Sequence, residues 1–222
     1  MPVNGPASTA AGLPAATYMA MLPSTNFDNG TGSTVTGSIT ISSTSGGSGV
    51  NVAVNFTGFP AEAEYGPFVY HIHALAVPAN GNCSATLGHL DPTDRGEYYP
   101  CNVAAPATCQ VGDLSGKHGN ITATSFVAQY ADLFLSTDPS SPAFFGDKSV
   151  VIHTSNATRI TCANFQMVSS SGAAANSTGT SNSTSPSATQ SVTPYTPGVN
   201  AATQASAFGF AGVLAAVAAF FL

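Results

Sequence analysis

Apolar and polar residues alternate in short runs along the first two thirds of the chain. Val35, Gly37, Ile39 and Ile41 alternate with Thr36, Ser38 and Thr40. Beyond Ser45-Gly46-Gly47-Ser48-Gly49, Val50, Val52, Val54 and Phe56 alternate with Asn51, Ala53 and Asn55. Period-two alternation on both sides of a glycine/serine turn predicts a β-hairpin with one buried face. Residues 68–75 and 149–154 read as further strands. No stretch between Tyr18 and Phe165 repeats with a helical period. Short strands joined by glycine- and proline-rich turns predict an all-β antiparallel sandwich or barrel.

Other segments break this pattern. Residues 78–119 are rich in Gly, Pro, Asn and Asp and hold three of the four cysteines. A loop of that length is expected to be functional or cross-linked. Residues 169–200 consist largely of Ser, Thr, Asn, Ala, Gly and Pro. They lack the apolar surface to fold and read as a glycosylated stalk. Residues 201–222 turn apolar and uncharged, yet their hydrophobic part falls short of the roughly 20 residues that span a bilayer. A short apolar tail behind small residues is the signal for a GPI anchor, with the tail removed on maturation; Asn200 is the expected attachment site, and membrane contact is expected through the lipid alone. Residues 1–16 show neither the basic n-region nor the apolar h-region of a secretory signal. They are expected to be disordered, and the true N-terminus is expected upstream. The folded domain is thus expected over residues 17–168.

Only 6% of residues are charged and the formal net charge is −6. All the charged side chains lie between Asp28 and Arg159. No basic run exists, which argues against a nucleic-acid partner. The four cysteines, Cys83, Cys101, Cys109 and Cys162, form no Cys-x-x-Cys pair, which argues against a zinc ribbon or thioredoxin-type motif. Their even number suits two disulfides in an oxidising compartment. Sequons at Asn29, Asn55, Asn82, Asn120, Asn156, Asn176 and Asn182 agree with a secreted glycoprotein.

The candidate chemistry lies in the five histidines, His71, His73, His89, His118 and His153. His71-Ile72-His73 sits in a strand-like run, so both imidazoles share one face while Tyr70 and Ile72 share the other. His153 ends the apolar run Val150-Val151-Ile152, and His89 lies in the long loop. A single histidine on a β-face is most often a structural residue, and a His-x-His pair alone is a metal site in a minority of cases. Spacing by itself supports a possible histidine-rich metal site, and all-imidazole ligation suits copper or zinc.

At these residues a family resemblance becomes specific. The chain resembles the Cu/Zn superoxide dismutase superfamily, and more closely its fungal copper-only, GPI-anchored branch. The matching pieces are His71-Ile72-His73, GNCSATLGHLDP from Gly81 to Pro92, CQVGDLSGKHG from Cys109 to Gly119, VVIH from Val150 to His153, and Arg159-Ile160-Thr161-Cys162. The resemblance covers roughly residues 17–168. The resemblance implies a Greek-key β-sandwich or barrel of immunoglobulin-like type. It implies that His71, His73, His89 and His153 bind one copper ion and that Cys83 pairs with Cys162, leaving Cys101 with Cys109. It also implies that Arg159 attracts the superoxide anion, unless it is a surface residue paired with Asp147 or another acid.

Departures from the two-metal enzymes matter as much. Glu97 and Gln110 stand where two zinc-binding histidines are expected, and a zinc site needs three or four good ligands; zinc is therefore not expected. Asp113, matching a zinc ligand, is then free to orient His89, directly or through a neighbour. Only five residues separate His153 from Arg159, which implies an open, shallow copper site. His118 is expected to be structural. The implied activity is extracellular superoxide dismutation at the cell surface or wall. The alternatives are a copper-binding wall protein on the same fold and a wall protein whose histidines are incidental. No oligomeric state is read from the sequence, a monomer being the expectation.

Overall fold

The computed structural model describes residues 5–170. Eight strands form two antiparallel sheets: β1 (Ala16–Met21), β2 (Thr36–Ser43), β3 (Val50–Thr57), β4 (Val69–His73), β5 (Ser125–Asp132), β6 (Ser149–His153), β7 (Arg159–Asn164) and β8 (Gln166–Ser170). Five strands lie in the order β5-β3-β2-β1-β8 and three in the order β4-β6-β7. The helices α1 (Glu62–Tyr65) and α2 (Leu114–His118) are single turns. The expected β-sandwich is present, with crossovers that place β5 beside β3 and β6 beside β4.

The predicted hairpin is β2–β3, paired Ile39↔Val54 and Ile41↔Val52. Ile39, Ile41, Val52, Val54 and Phe56 are buried, while Asn51, Asn55 and Thr57 face solvent. Tyr70 and Ile72 of β4, Val150 and Ile152 of β6 and Ile160 of β7 close the core from the other sheet. Full burial of side chains this size stabilises by about 1.5–3 kcal/mol each. β5 escaped the sequence pattern because Val127 points outward, 75% exposed, while Phe126 and Tyr130 are only half-buried.

Residues 5–15, ahead of β1, are laid against the domain. Ala7 N–H donates to Ala107 O, Ala10 N–H to Leu133 O and Gly49 N–H to Ala10 O. Their small side chains allow close backbone approach but leave no hydrophobic period to read. The stalk beyond Ser170 and the tail, including Asn200, lie outside the described residues.

His118 is part of a buried polar cluster behind α2. Its Nε2 bonds Asp132 Oδ2 at 2.9 Å and its ring stacks on Tyr130 at 3.9 Å. Lys117 Nζ donates to the same oxygen at 2.5 Å and to Val111 O at 2.8 Å. Burial alone would raise the Asp132 pKa. The Lys117 charge, with the hydrogen bonds from His118, Lys117 and Phe134, instead holds it well below the usual carboxylate range. The cluster satisfies its charges internally, as buried ions require.

Candidate metal centre

The alternation of β4 sends Tyr70 and Ile72 into the core and His71 and His73 to the opposite face. His153, at the end of β6, pairs with Val69. The free edge of β4 is covered by the long loop. Leu90 N–H donates to Ile72 O at 2.8 Å, Ile72 N–H to Gly112 O at 2.9 Å, and Gly112 N–H to Leu90 O at 2.8 Å. This pairing sets His89 opposite His73. It needs glycine at 112, where a Cβ would lie 2.3 Å from Ile72 O.

Four imidazoles gather as a result. Ring centroids are 4.0 Å apart for His71–His89, 5.1 Å for His71–His153, and 5.3 Å for both His73–His89 and His73–His153. Ligand atoms of His71, His73 and His89 all lie within 4.8 Å of one another. His73 Nε2 is 3.2 Å from His153 Nε2, which brings in the fourth ring.

The outer nitrogens show which atoms are left for an ion. His73 Nδ1 donates to Leu87 O at 2.8 Å, His153 Nδ1 to Ala157 O at 3.2 Å, and His89 Nδ1 to Gln110 Oε1 at 2.5 Å. With Nδ1 protonated, each ring keeps its lone pair on Nε2. His71 is reversed. Its Nε2 faces Asp113 Oδ1 at 3.6 Å, and its Nδ1 is buried without a hydrogen-bond partner among the described residues. A buried, unpartnered nitrogen calls for an explanation, and a metal ion supplies one. Four nitrogen donors, three of them on rings whose tautomer a hydrogen bond fixes, fit a copper ion.

Burial holds His71, His73 and His153 neutral. The His73 pKa is pushed down to about 3 by burial and by the neighbouring His89, against the opposing pull of the Leu87 carbonyl. His153 is pushed down to about 4, again chiefly by burial. His71 is driven far below the ordinary value by burial and by His89, His153 and His73. Neutral imidazole is the form that ligates a metal.

Arg159 begins β7 and reaches back over the loop. Its Nη1 donates to Cys83 O at 2.5 Å and Thr86 Oγ1 at 3.1 Å, and its Nη2 to Leu87 O at 2.6 Å. Asp147, the alternative partner, pairs with Lys148. The disulfides Cys83–Cys162 and Cys101–Cys109 are both formed. Asp113 caps α2 by accepting Gly116 N–H at 2.7 Å, and its Oδ1 lies 3.6 Å from His71 Nε2. The hydrogen-bond partner of His89 is Gln110, and Glu97 Oε1 accepts His89 N–H at 3.4 Å.

Sequence reasoning missed the carbonyls of Leu87 and Ala157. Both residues have positive φ, 62° and 67°, and no residue type marked them. Left-handed backbone at non-glycine positions is a recurring mark of functional sites.

No protein-family model matches the chain. Over 107 residues it is 49% identical to a cell surface Cu-only superoxide dismutase of Arthroderma benhamiae, a match covering 46% of this chain and 29% of the relative. Over 152 residues it is 38% identical to the cell surface Cu-only superoxide dismutase 5 of Candida albicans, covering 68% of this chain and 64% of the relative. The chain thus spans less than two thirds of the length of either curated relative. The solved Cu(II) form of the Candida albicans superoxide dismutase 5 superposes with a TM-score of 0.61 at 35% identity, covering 74% of this chain and 99% of that one.

Proposed function

The chain belongs to the family of fungal cell-surface copper-only superoxide dismutases, and on that premise we propose that it is an extracellular copper-dependent dismutase turning superoxide into dioxygen and hydrogen peroxide. The observation that carries this is the convergence of four imidazoles around the unpartnered Nδ1 of buried His71. His71 through Nδ1, and His73, His89 and His153 through Nε2, would hold the ion. Copper, when bound there, supplies one-electron exchange with superoxide.

The protein's own groups account for the rest. His89 is the half-exposed imidazole of the four. Its Nε2 can take a proton from solvent and pass it to outgoing peroxide while Nδ1–H stays on Gln110. Gln110 occupies the nitrogen that a bridging histidine would offer to a second ion, which supports a single-metal site. The net charge of −6 opposes an anionic substrate. Over a Debye length of roughly 8 Å, however, a local cation outweighs distant charge. Arg159 is that cation. Three of its N–H groups hold the loop; the remaining Nη2–H and Nε–H, which bond to none of the described residues, can meet an anion.

We place the mature protein at the cell surface, GPI-anchored through Asn200. Release from intact cells by a phosphatidylinositol-specific phospholipase tests the anchor, and retention would count against it.

The activity is tested by elemental analysis for copper and zinc together with superoxide decay. One copper and fast decay are expected, both lost in His71→Ala and His153→Ala. Copper without decay would leave a copper-binding wall protein, and no stoichiometric metal would remove both readings.

A further inference from the structure

Gln110 has two chemically different ends, and only one of them leaves His89 able to bind a metal. With the amide oxygen toward the ring, His89 must carry its proton on Nδ1, and Nε2 keeps its lone pair. With the NH2 toward the ring, Nδ1 becomes the acceptor, the proton moves to Nε2, and that nitrogen can no longer donate to an ion. The two placements fill nearly the same space, so shape alone does not choose between them.

The structure supplies a group that chooses. Gln110 is buried, and its Nε2 donates to Asp91 Oδ2 at 3.2 Å. Asp91 is itself fixed. The same Oδ2 accepts Gly96 N–H at 2.8 Å, and Oδ1 accepts the Thr93 hydroxyl at 3.1 Å. A carboxylate only accepts, so the NH2 end must face it. Turning the amide over would set its oxygen against the carboxylate and lose a hydrogen bond. We propose that Asp91 is a positioning residue that acts through Gln110, fixing the amide's direction and thereby the Nδ1–H tautomer of His89.

The polarity runs one way along the chain of groups, from His89 Nδ1–H to the Gln110 oxygen and from the Gln110 NH2 to Asp91. It orients the ligand without placing a charge in contact with the imidazole. The neighbouring Cys101–Cys109 disulfide ends one residue before Gln110. The proposal deepens the metal-site reading and rests on it only in taking His89 as a ligand. Its readout does not need dismutation.

The test uses the copper-free full chain with 15N-labelled histidine, reading the His89 tautomer by two-bond proton–nitrogen correlations at neutral pH. The parent protein is expected to show a single Nδ1–H form. Asp91→Ala is expected to show both tautomers, with copper affinity falling on the order of 10–100-fold. Asp91→Asn is expected to keep the single form, because its carbonyl can still accept from Gln110 while its amide faces the Thr93 hydroxyl. In the double variant Asp91→Ala/Gln110→Glu, a carboxylate with no donor end replaces the amide, so the single form should return. A single Nδ1–H form in Asp91→Ala overturns the proposal, and so does a mixture in the double variant. A mixture in Asp91→Asn overturns it too, because charge rather than bond direction would then be at work. If Asp91→Ala alone fails to fold, the other two variants decide. Should the protein prove inactive with these tautomers intact, the dismutase reading falls and the relay stands.

Discussion

His73 and His153 stay neutral through the range where an exposed histidine gains its proton, because burial holds them at about 3 and about 4. In the unfolded chain both titrate near 6.5. Between those values the unfolded state binds protons that the folded state refuses. Stability of the copper-free protein is therefore expected to fall as pH drops from about 6.5 toward 4, and to rise again on neutralisation. Denaturant midpoints measured across that window check the sign. Arg159 has two separable duties. Arg159→Ala should retain copper while slowing dismutation and weakening its dependence on ionic strength. Arg159→Lys keeps the charge but not the fork that spans Cys83, Thr86 and Leu87. It should keep the salt dependence yet lose about 1.5–3 kcal/mol of stability. Rates against ionic strength, paired with thermal melts, separate the two.

Between residues and fold stand the loop segments that complete β4. Leu87 is 57% exposed and has a φ of 62°, so its side chain gains little burial while its backbone is strained. What the site uses is its carbonyl, which accepts from both His73 and Arg159. Leu87→Gly keeps that carbonyl and removes strain on the order of 1–3 kcal/mol, offset by about 0.5–1 kcal/mol of added chain freedom. Unchanged kcat/KM with a higher melting temperature is the expected result. Gly112 is the opposite case. A methyl there meets backbone, at 2.3 Å from Ile72 O and 2.9 Å from Leu90 N, so relief requires the loop to move off β4. Gly112→Ala is expected to weaken copper binding through displaced His89, and copper titration would read the loss directly.

At the scale of the whole molecule the Cys83–Cys162 bond joins loop to sheet across 79 residues of sequence. Its sulfur atoms pack with Val151, on the other face of β6 from the main core. Closing a loop that long stabilises by about 4.5 kcal/mol in the chain-entropy view. It also ties Thr86 and Leu87 to the strand that carries Arg159. Reduction, or Cys83→Ser with Cys162→Ser, is expected to lower the melting temperature and copper affinity together. Loss of stability with undiminished copper affinity would show that the bond serves the fold alone. The acid side is guarded elsewhere. Asp132, held low chiefly by Lys117 against its burial, contributes stability above the usual carboxylate range and withdraws it as the pH falls below about 4.

The β2–β3 hairpin was legible because its two strands alternate cleanly about a glycine/serine turn, each with one face in the core. His71 and His73 were legible as a pair because period two forces them onto one face, while His89, His153 and both disulfides were implied only by the family resemblance. β5 was not legible, since a half-buried strand with outward Val127 carries no clean period, and neither was the packed segment ahead of β1. Residue order could name Gln110 and Asp113 but could not assign their partners. Asp113 lies by His71 and Gln110 by His89 because the loop pairs with the edge of β4 through Leu90 and Gly112. Periodicity is local and survives in the sequence. Contacts between residues far apart in the chain, and the carbonyls that fix the imidazole tautomers, exist only once the backbone has closed around them.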